Sequence, residues 1–166
     1  MIRIKVFPLC LLACLLLTIP ALAQRNSPSE TAKRFIGMWK LVSIVDSQGQ
    51  PQLTRGSQPA GFIVYDASGI MTVQIMSSTP RPKYAGAAPT PDEAKAALTG
   101  YTAYFGTWTV DERAGTVTHH LTGSINPSNT GNDNVRKYEF GPGDRVTLIP
   151  IAPANSGTRL TWERVK

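Results

Sequence analysis

The chain has 166 residues, a formal charge of +6 and two cysteines, Cys10 and Cys14, both close to the N-terminus. Everything after Cys14 is cysteine-free, which excludes a disulfide-stabilised domain there. The basic residues are scattered rather than interleaved with aromatics, which argues against a nucleic-acid-binding face.

Arg3 and Lys5 precede an apolar run from Val6 to Ile19, then Pro20 and the small-residue exit Ala21-Leu22-Ala23. This order predicts a secretory signal over residues 1–23, and with it a periplasmic or secreted product with no stable membrane insertion after cleavage. The run is short of the roughly 20 apolar residues that a spanning helix needs. Leu11-Leu12-Ala13-Cys14 is similar to a bacterial lipoprotein cleavage site with Cys14 as the lipidated residue, but cutting there would divide the apolar run, so cleavage after Ala23 is favoured. Removal of the signal leaves about 143 residues with a charge of about +4, one domain that buries roughly two thirds of its unfolded surface. Residues 24–34 are polar and predict a flexible lead-in, with the domain itself over 35–166.

From there, short β-type runs alternate with Gly, Pro, Asn and Asp clusters, the pattern of an all-β barrel or sandwich. Eight strands are predicted, near 37–46, 60–66, 70–77, 101–110, 115–125, 134–140, 144–150 and 158–165. Tight turns are expected at Asp66–Gly69, Asp111–Gly115 and Gly141–Asp144. Alternation with period two assigns the faces. Met71, Val73 and Ile75 point inward on the third strand; Val117, His119, Leu121 and Ile125 on the fifth; Arg136, Tyr138 and Phe140 on the sixth; Leu160, Trp162 and Arg164 on the eighth. The first, second and fourth strands are apolar on both sides, so their facing stays open. Between the third and fourth strands, Thr90-Pro91-Asp92-Glu93 is a capping box with proline at the first helical position, predicting a short helix from Pro91 to Leu98. The Pro-rich stretch before it makes the Pro80–Leu98 excursion either a lid over a site or a plug for one barrel end. In a closed antiparallel barrel the first and last strands are neighbours, which brings Trp39 and Arg164 together at the barrel floor.

Gly37-Met38-Trp39-Lys40-Leu41-Val42-Ser43, Gly61-Phe62-Ile63-Val64-Tyr65 with Gly69 to Gln74, Tyr104 to Val110, Gly115 to His120, Val135-Arg136 and Leu160 to Val165 form an ordered series. This series resembles the lipocalin-like domain family of the calycin superfamily, in particular its short bacterial and fungal group, over essentially the whole domain. The resemblance implies an eight-stranded up-and-down barrel with an internal pocket, and Arg164 stacked over Trp39 as in lipocalins. Most members of the group lack an assigned activity. Some resemble accessory proteins of secondary-metabolite pathways, which leaves an enzymatic role open.

His119 and Arg136 are the candidates for chemistry, since both fall on apolar faces of consecutive strands. A guanidinium there needs a partner. Arg136 either bonds carbonyls and Tyr138, reaches water at the mouth, or meets an anionic ligand bidentately. His119 is either a satisfied core histidine or a proton donor and acceptor to the ligand. Tyr104, Trp108 and Tyr138 complete the expected ligand-binding set, suited to a flat, partly polar molecule, whereas Trp39 is expected as barrel filler. His119 and His120 point to opposite faces and cannot grip one ion, so no metal is expected, and no cofactor. There is no Gly-x-Ser-x-Gly nucleophile motif and no Gly-rich phosphate loop. The expected function is monomeric binding of a small apolar or amphipathic molecule. The alternative is an isomerase, cyclase or dehydratase in the same pocket, with His119 as acid-base and Arg136 as anion stabiliser. A third class, a surface interaction protein using loops Gln48–Gln58 and Asn126–Asn134, lacks aromatic anchors.

Overall fold

The structure is a computed structural model that describes residues 28–79, 81–151 and 157–166. The signal expected over 1–23, the Cys14 site and Pro80 lie outside the described residues. Eight strands form one closed antiparallel barrel in the order of the chain. They are β1 (Gly37–Val45), β2 (Ala60–Tyr65), β3 (Ile70–Met76), β4 (Tyr101–Asp111), β5 (Thr116–Ser124), β6 (Asp133–Gly141), β7 (Arg145–Pro150) and β8 (Arg159–Arg164). Every boundary falls within a residue or two of the expectation. Closure pairs β1 with β8, Trp39 opposite Arg164 and Leu41 opposite Trp162, and so leaves no free sheet edge. Among the described residues no helix is long and apolar enough to cross a membrane.

The barrel has unlike ends. Tight turns join β2 to β3, β4 to β5 and β6 to β7 at one end, the floor. The longer connections, β1 to β2, β3 to β4, β5 to β6 and β7 to β8, leave from and return to the other end, the mouth. The core is a continuous apolar cluster that includes Trp39, Ile63, Tyr65, Met71, Val73, Val117, Val146, Leu148 and Trp162, each at most 2 % exposed.

At the floor the structure corrects the expectation of a flexible lead-in for its described part, residues 28–34. Glu30–Phe35 is a helix, α1, capped at its start by the Ser29 hydroxyl, which accepts from the Ala32 amide at 3.1 Å. Glu30 lies in its first turn and Lys33 and Arg34 in its last, as the helix dipole favours. The carbonyls left open at its C-terminal end are captured by the barrel. Trp39 Nε1 donates to the Phe35 carbonyl at 2.7 Å, and the Arg164 guanidinium donates to the carbonyls of Ile36 and Arg34. The same guanidinium lies 4.2 Å over the Trp39 ring, the stacking that the sequence predicts. Gly37 makes room for it. The backbone there has φ +132°, and a Cβ would sit 2.7 Å from Arg164 Nη1. Phe35 then enters the barrel completely (0 % exposed), with its ring against Tyr65, Trp108, Tyr138 and Phe140.

The second helix, α2 (Pro91–Thr99), has its capping box formed in both directions. It lies outside the barrel and buries none of its residues. The floor is therefore stopped by α1, not by α2.

Two bulges settle faces that alternation left open or misassigned. One between Leu41 and Ser43 lets Trp39, Leu41 and Ile44 all point inward. The other, where β4 shifts register on β5 between Phe105 and Gly106, places Ser124 opposite the inward Tyr104. Ile125, expected inside, consequently points out and is 38 % exposed.

Candidate functional site

Above the aromatic floor the barrel encloses a cavity of about 600 Å³. This volume lies within the range of small-molecule sites. Its walls are apolar, built from Ile44, Ile63, Val73, Ile75, Leu148, Leu160 and Trp162 on five strands. Polar groups cluster toward the mouth: Gln52 and Arg55 from the loop after β1, Thr102 and Tyr104 on β4, and Asn129, Asp133, Asn134 and Arg136 around the start of β6. The polar loops around 48–58 and 126–134 thus form the rim of the cavity. No residue of 81–98 lines it, so the excursion carrying α2 does not cover the cavity.

Of the residues expected to bind ligand, Tyr104 and Arg136 reach the cavity; Trp108, His119 and Tyr138 do not line it. Trp108 and Tyr138 are drawn down to the Phe35 ring, at 6.0 and 5.2 Å between centroids. Trp108 Nε1 donates to the Asp66 carbonyl at 3.2 Å. His119 is wholly buried between two phenols. Its Nε2 is 2.7 Å from the Tyr65 hydroxyl and its Nδ1 is 3.0 Å from the Tyr104 hydroxyl. Arg136 continues the chain, donating to the Tyr104 hydroxyl at 3.1 Å and to the Asn134 carbonyl at 2.8 Å. Both functional candidates therefore belong to one hydrogen-bonded line, Tyr65–His119–Tyr104–Arg136, running from core to cavity. The Tyr138 partner considered for Arg136 is replaced by Tyr104.

Burial, with the charges of Arg136 and His120 adding to it, holds His119 well below the ordinary imidazole range. Burial raises both phenols, with the Arg136 charge opposing it at each. The neutral ring carries one proton, so each nitrogen has a single role. Sequence reasoning missed Tyr65, which shows a hydrophobic face pattern only, and Arg55, which lies in a loop with no periodicity. Arg55 donates to the Thr102 hydroxyl at 2.8 Å, and burial lowers its pKa.

His120 sits on the opposite, outer face. It bonds Asp133 Oδ1 through Nδ1 at 2.7 Å and Thr109 Oγ1 through Nε2 at 2.9 Å. The two histidines thus point apart, and among the described residues no three His, Cys, Asp or Glu side chains gather as a metal site.

A buried neutral histidine has a pH signature. The unfolded chain takes up a proton on the imidazole near pH ~6.5, and the folded chain only at a lower pH. Between those points the unfolded state holds more protons, so stability falls as pH falls through the window. The expected slope is up to about 1.4 kcal/mol per pH unit. Thermal midpoints measured from pH ~7 down to ~5, above the carboxylate range, should decline in the native protein and run nearly flat in His119→Gln. Equal slopes in the two proteins would show that His119 is protonated in the fold.

The description "Lipocalin-like domain" belongs to the family model that matches this chain, over residues 36–165. No curated protein matches it. The matched span begins one residue after Phe35, so it takes in every strand and omits α1.

Proposed function

The chain belongs to the lipocalin-like domain family, and from that premise we propose that it is an exported, monomeric carrier of a small amphipathic molecule held in the barrel cavity. The observation that carries the reading is the cavity's division. Apolar walls on five strands suit a hydrophobic body, and the ring of polar side chains at the mouth suits a polar end. The floor is filled by Phe35 and its aromatic neighbours, so a ligand has only the upper half of the barrel to occupy.

The test is what the protein carries. Native mass spectrometry on protein purified from its own host should show bound small molecules that organic solvent extracts. Leu160→Trp fills part of the cavity from a half-buried wall position, and should lower binding of the extracted compound at least about tenfold. Native protein that binds no small molecule, or a Leu160→Trp variant that binds as the native does, would remove the basis for a carrier. Export is supported by the charged start, the apolar run and the Ala21-Leu22-Ala23 exit. Fractionated cells should yield an extracytoplasmic chain beginning at Gln24; a chain retaining residues 1–23 would refute it.

A second reading, an isomerase, cyclase or dehydratase, draws on one contact, the hydrogen bond that links His119 to the cavity residue Tyr104. His119 has no surface on the cavity, so any proton it handles must pass through the Tyr104 hydroxyl. Chemical change of the extracted compound on incubation with the native protein, lost in His119→Ala while binding is kept, would favour this reading.

A further inference from the structure

We propose that the cavity is selective for an organic acid, whose carboxylate or equivalent anionic oxygen group is held by the guanidinium groups of Arg136 and Arg55 with the Tyr104 hydroxyl as a further donor. The inference rests on the carrier reading above and narrows its ligand.

The first support is charge. Arg55 and Arg136 both line the cavity, and neither makes an ion pair. All 11 Asp and Glu residues of the chain lie among the described residues, so no carboxylate is left elsewhere to neutralise them. One carboxylate, Asp133, reaches the lining, and it is engaged by His120 at 2.7 Å. Two half-buried guanidiniums together at the mouth of a cavity with apolar walls carry positive charge that an anion would balance.

The second support is placement. Arg55 is fixed on Thr102 and Arg136 on Tyr104. These anchors are two residues apart on β4, a separation of ~7 Å along one face of a strand. Both cations are therefore aimed by the same strand into the same part of the mouth, where planar donor forks match a carboxylate.

The third support is the direction of the buried hydrogen bonds. Tyr65 is 1 % exposed, and its hydroxyl has no partner among the described residues other than His119. If Tyr65 accepted from the ring, its own proton would be stranded in the core. Tyr65 therefore donates to Nε2, and the ring proton sits on Nδ1 and is donated to the Tyr104 oxygen. That oxygen also accepts from Arg136. With two donors already on it, Tyr104 has only its own O–H left to offer, and Tyr104 lines the cavity. The unmet hydrogen-bonding capacity of Arg55, Arg136 and Tyr104 consists of donors. The complementary ligand is an acceptor and an anion.

The experiment titrates native protein, stripped of bound compounds by extraction and refolding, with decanoate, decanol and decylamine by calorimetry. Decanoate should bind at least about tenfold more tightly than decanol, and decylamine most weakly. Arg136→Gln and Arg55→Gln should each reduce the preference for decanoate over decanol, and the double variant should abolish it, with the circular dichroism spectrum and a cooperative thermal transition as the measures of an intact barrel. Tyr104→Phe should reduce it severalfold. Decanol binding as tightly as decanoate, or a preference that survives the double variant, would overturn the proposal while leaving the carrier reading in place. Failure of all three probes to bind would overturn the carrier reading itself, and the acid preference with it.

Discussion

Gly106→Ala should destabilise the protein by more than ~4 kcal/mol, enough to leave little folded material in a domain of ordinary marginal stability. Gly106 sits at the bulge where β4 changes register on β5. An added Cβ would be driven into the carbonyl oxygen of His120 and come within 2.9 Å of the His120 carbonyl carbon and the Thr122 amide nitrogen. All three are backbone atoms, so no side chain can swing aside. Relief requires the two strands to separate, and β4 with β5 flanks the Tyr104–His119 contact. Soluble yield and urea unfolding of Gly106→Ala check this. Gly115→Ala serves as a comparison, because a Cβ there meets nothing within 4 Å, although its φ of +65° adds a smaller backbone cost. A Gly106→Ala protein with native stability would mean that the strands are not packed as described.

The second large effect is expected from Phe35→Ala, at about 3–5 kcal/mol. Phe35 is wholly buried and has four aromatic neighbours, with Tyr138 edge-on at 5.2 Å and Phe140 at 5.0 Å. Truncation leaves a ring-sized void that β-strands tied into a closed ladder cannot collapse to fill. It also removes the deepest anchor of α1, whose other ties are hydrogen bonds to Trp39, Arg164 and Glu112, the Arg34 guanidinium over the Phe140 ring and the packing of Ala32 on the core. Urea unfolding measures the loss, and amide exchange in Glu30–Arg34 should rise more than in β5. A cost below ~1 kcal/mol would mean that the ring is not a component of the core.

The strands were legible because each is a short β-type run bounded by turn residues, and the third, fifth, sixth and eighth add a period-two pattern. The capping box of α2 and the Trp39–Arg164 pairing were legible for related reasons. The first is a local four-residue motif, and the second follows from closure of any barrel with this strand order. Three features escaped. The plug α1 carries its signal in Ser29, Glu30 and the Lys33-Arg34 pair, but a six-residue helix has too few apolar positions to show a period, and its stability comes from the barrel beneath which it docks. The inner faces of β1 and the end of β5 depend on bulges, and a single extra residue inverts every position beyond it. The partners of His119 were hidden for a geometric reason. Tyr65 stands 54 positions away, on a strand that is not hydrogen-bonded to that of His119. Alternation tells which residues look into a barrel, but which ones meet across the interior is fixed only once the sheet has closed. The same gap separates the expected ligand set from the observed lining: Trp108 and Tyr138 face inward as their parity requires, at a height where Phe35 has already taken the space.

Gly37 and Arg164, the outermost residues of the first and last strands, both lie at the floor, with the cavity opening at the far end. A fusion partner or an immobilising tether attached before Ser29 or after Val165 would therefore hang from the pole opposite the opening. The protein could be held on a sensor surface through either extremity without obstructing the passage of a guest.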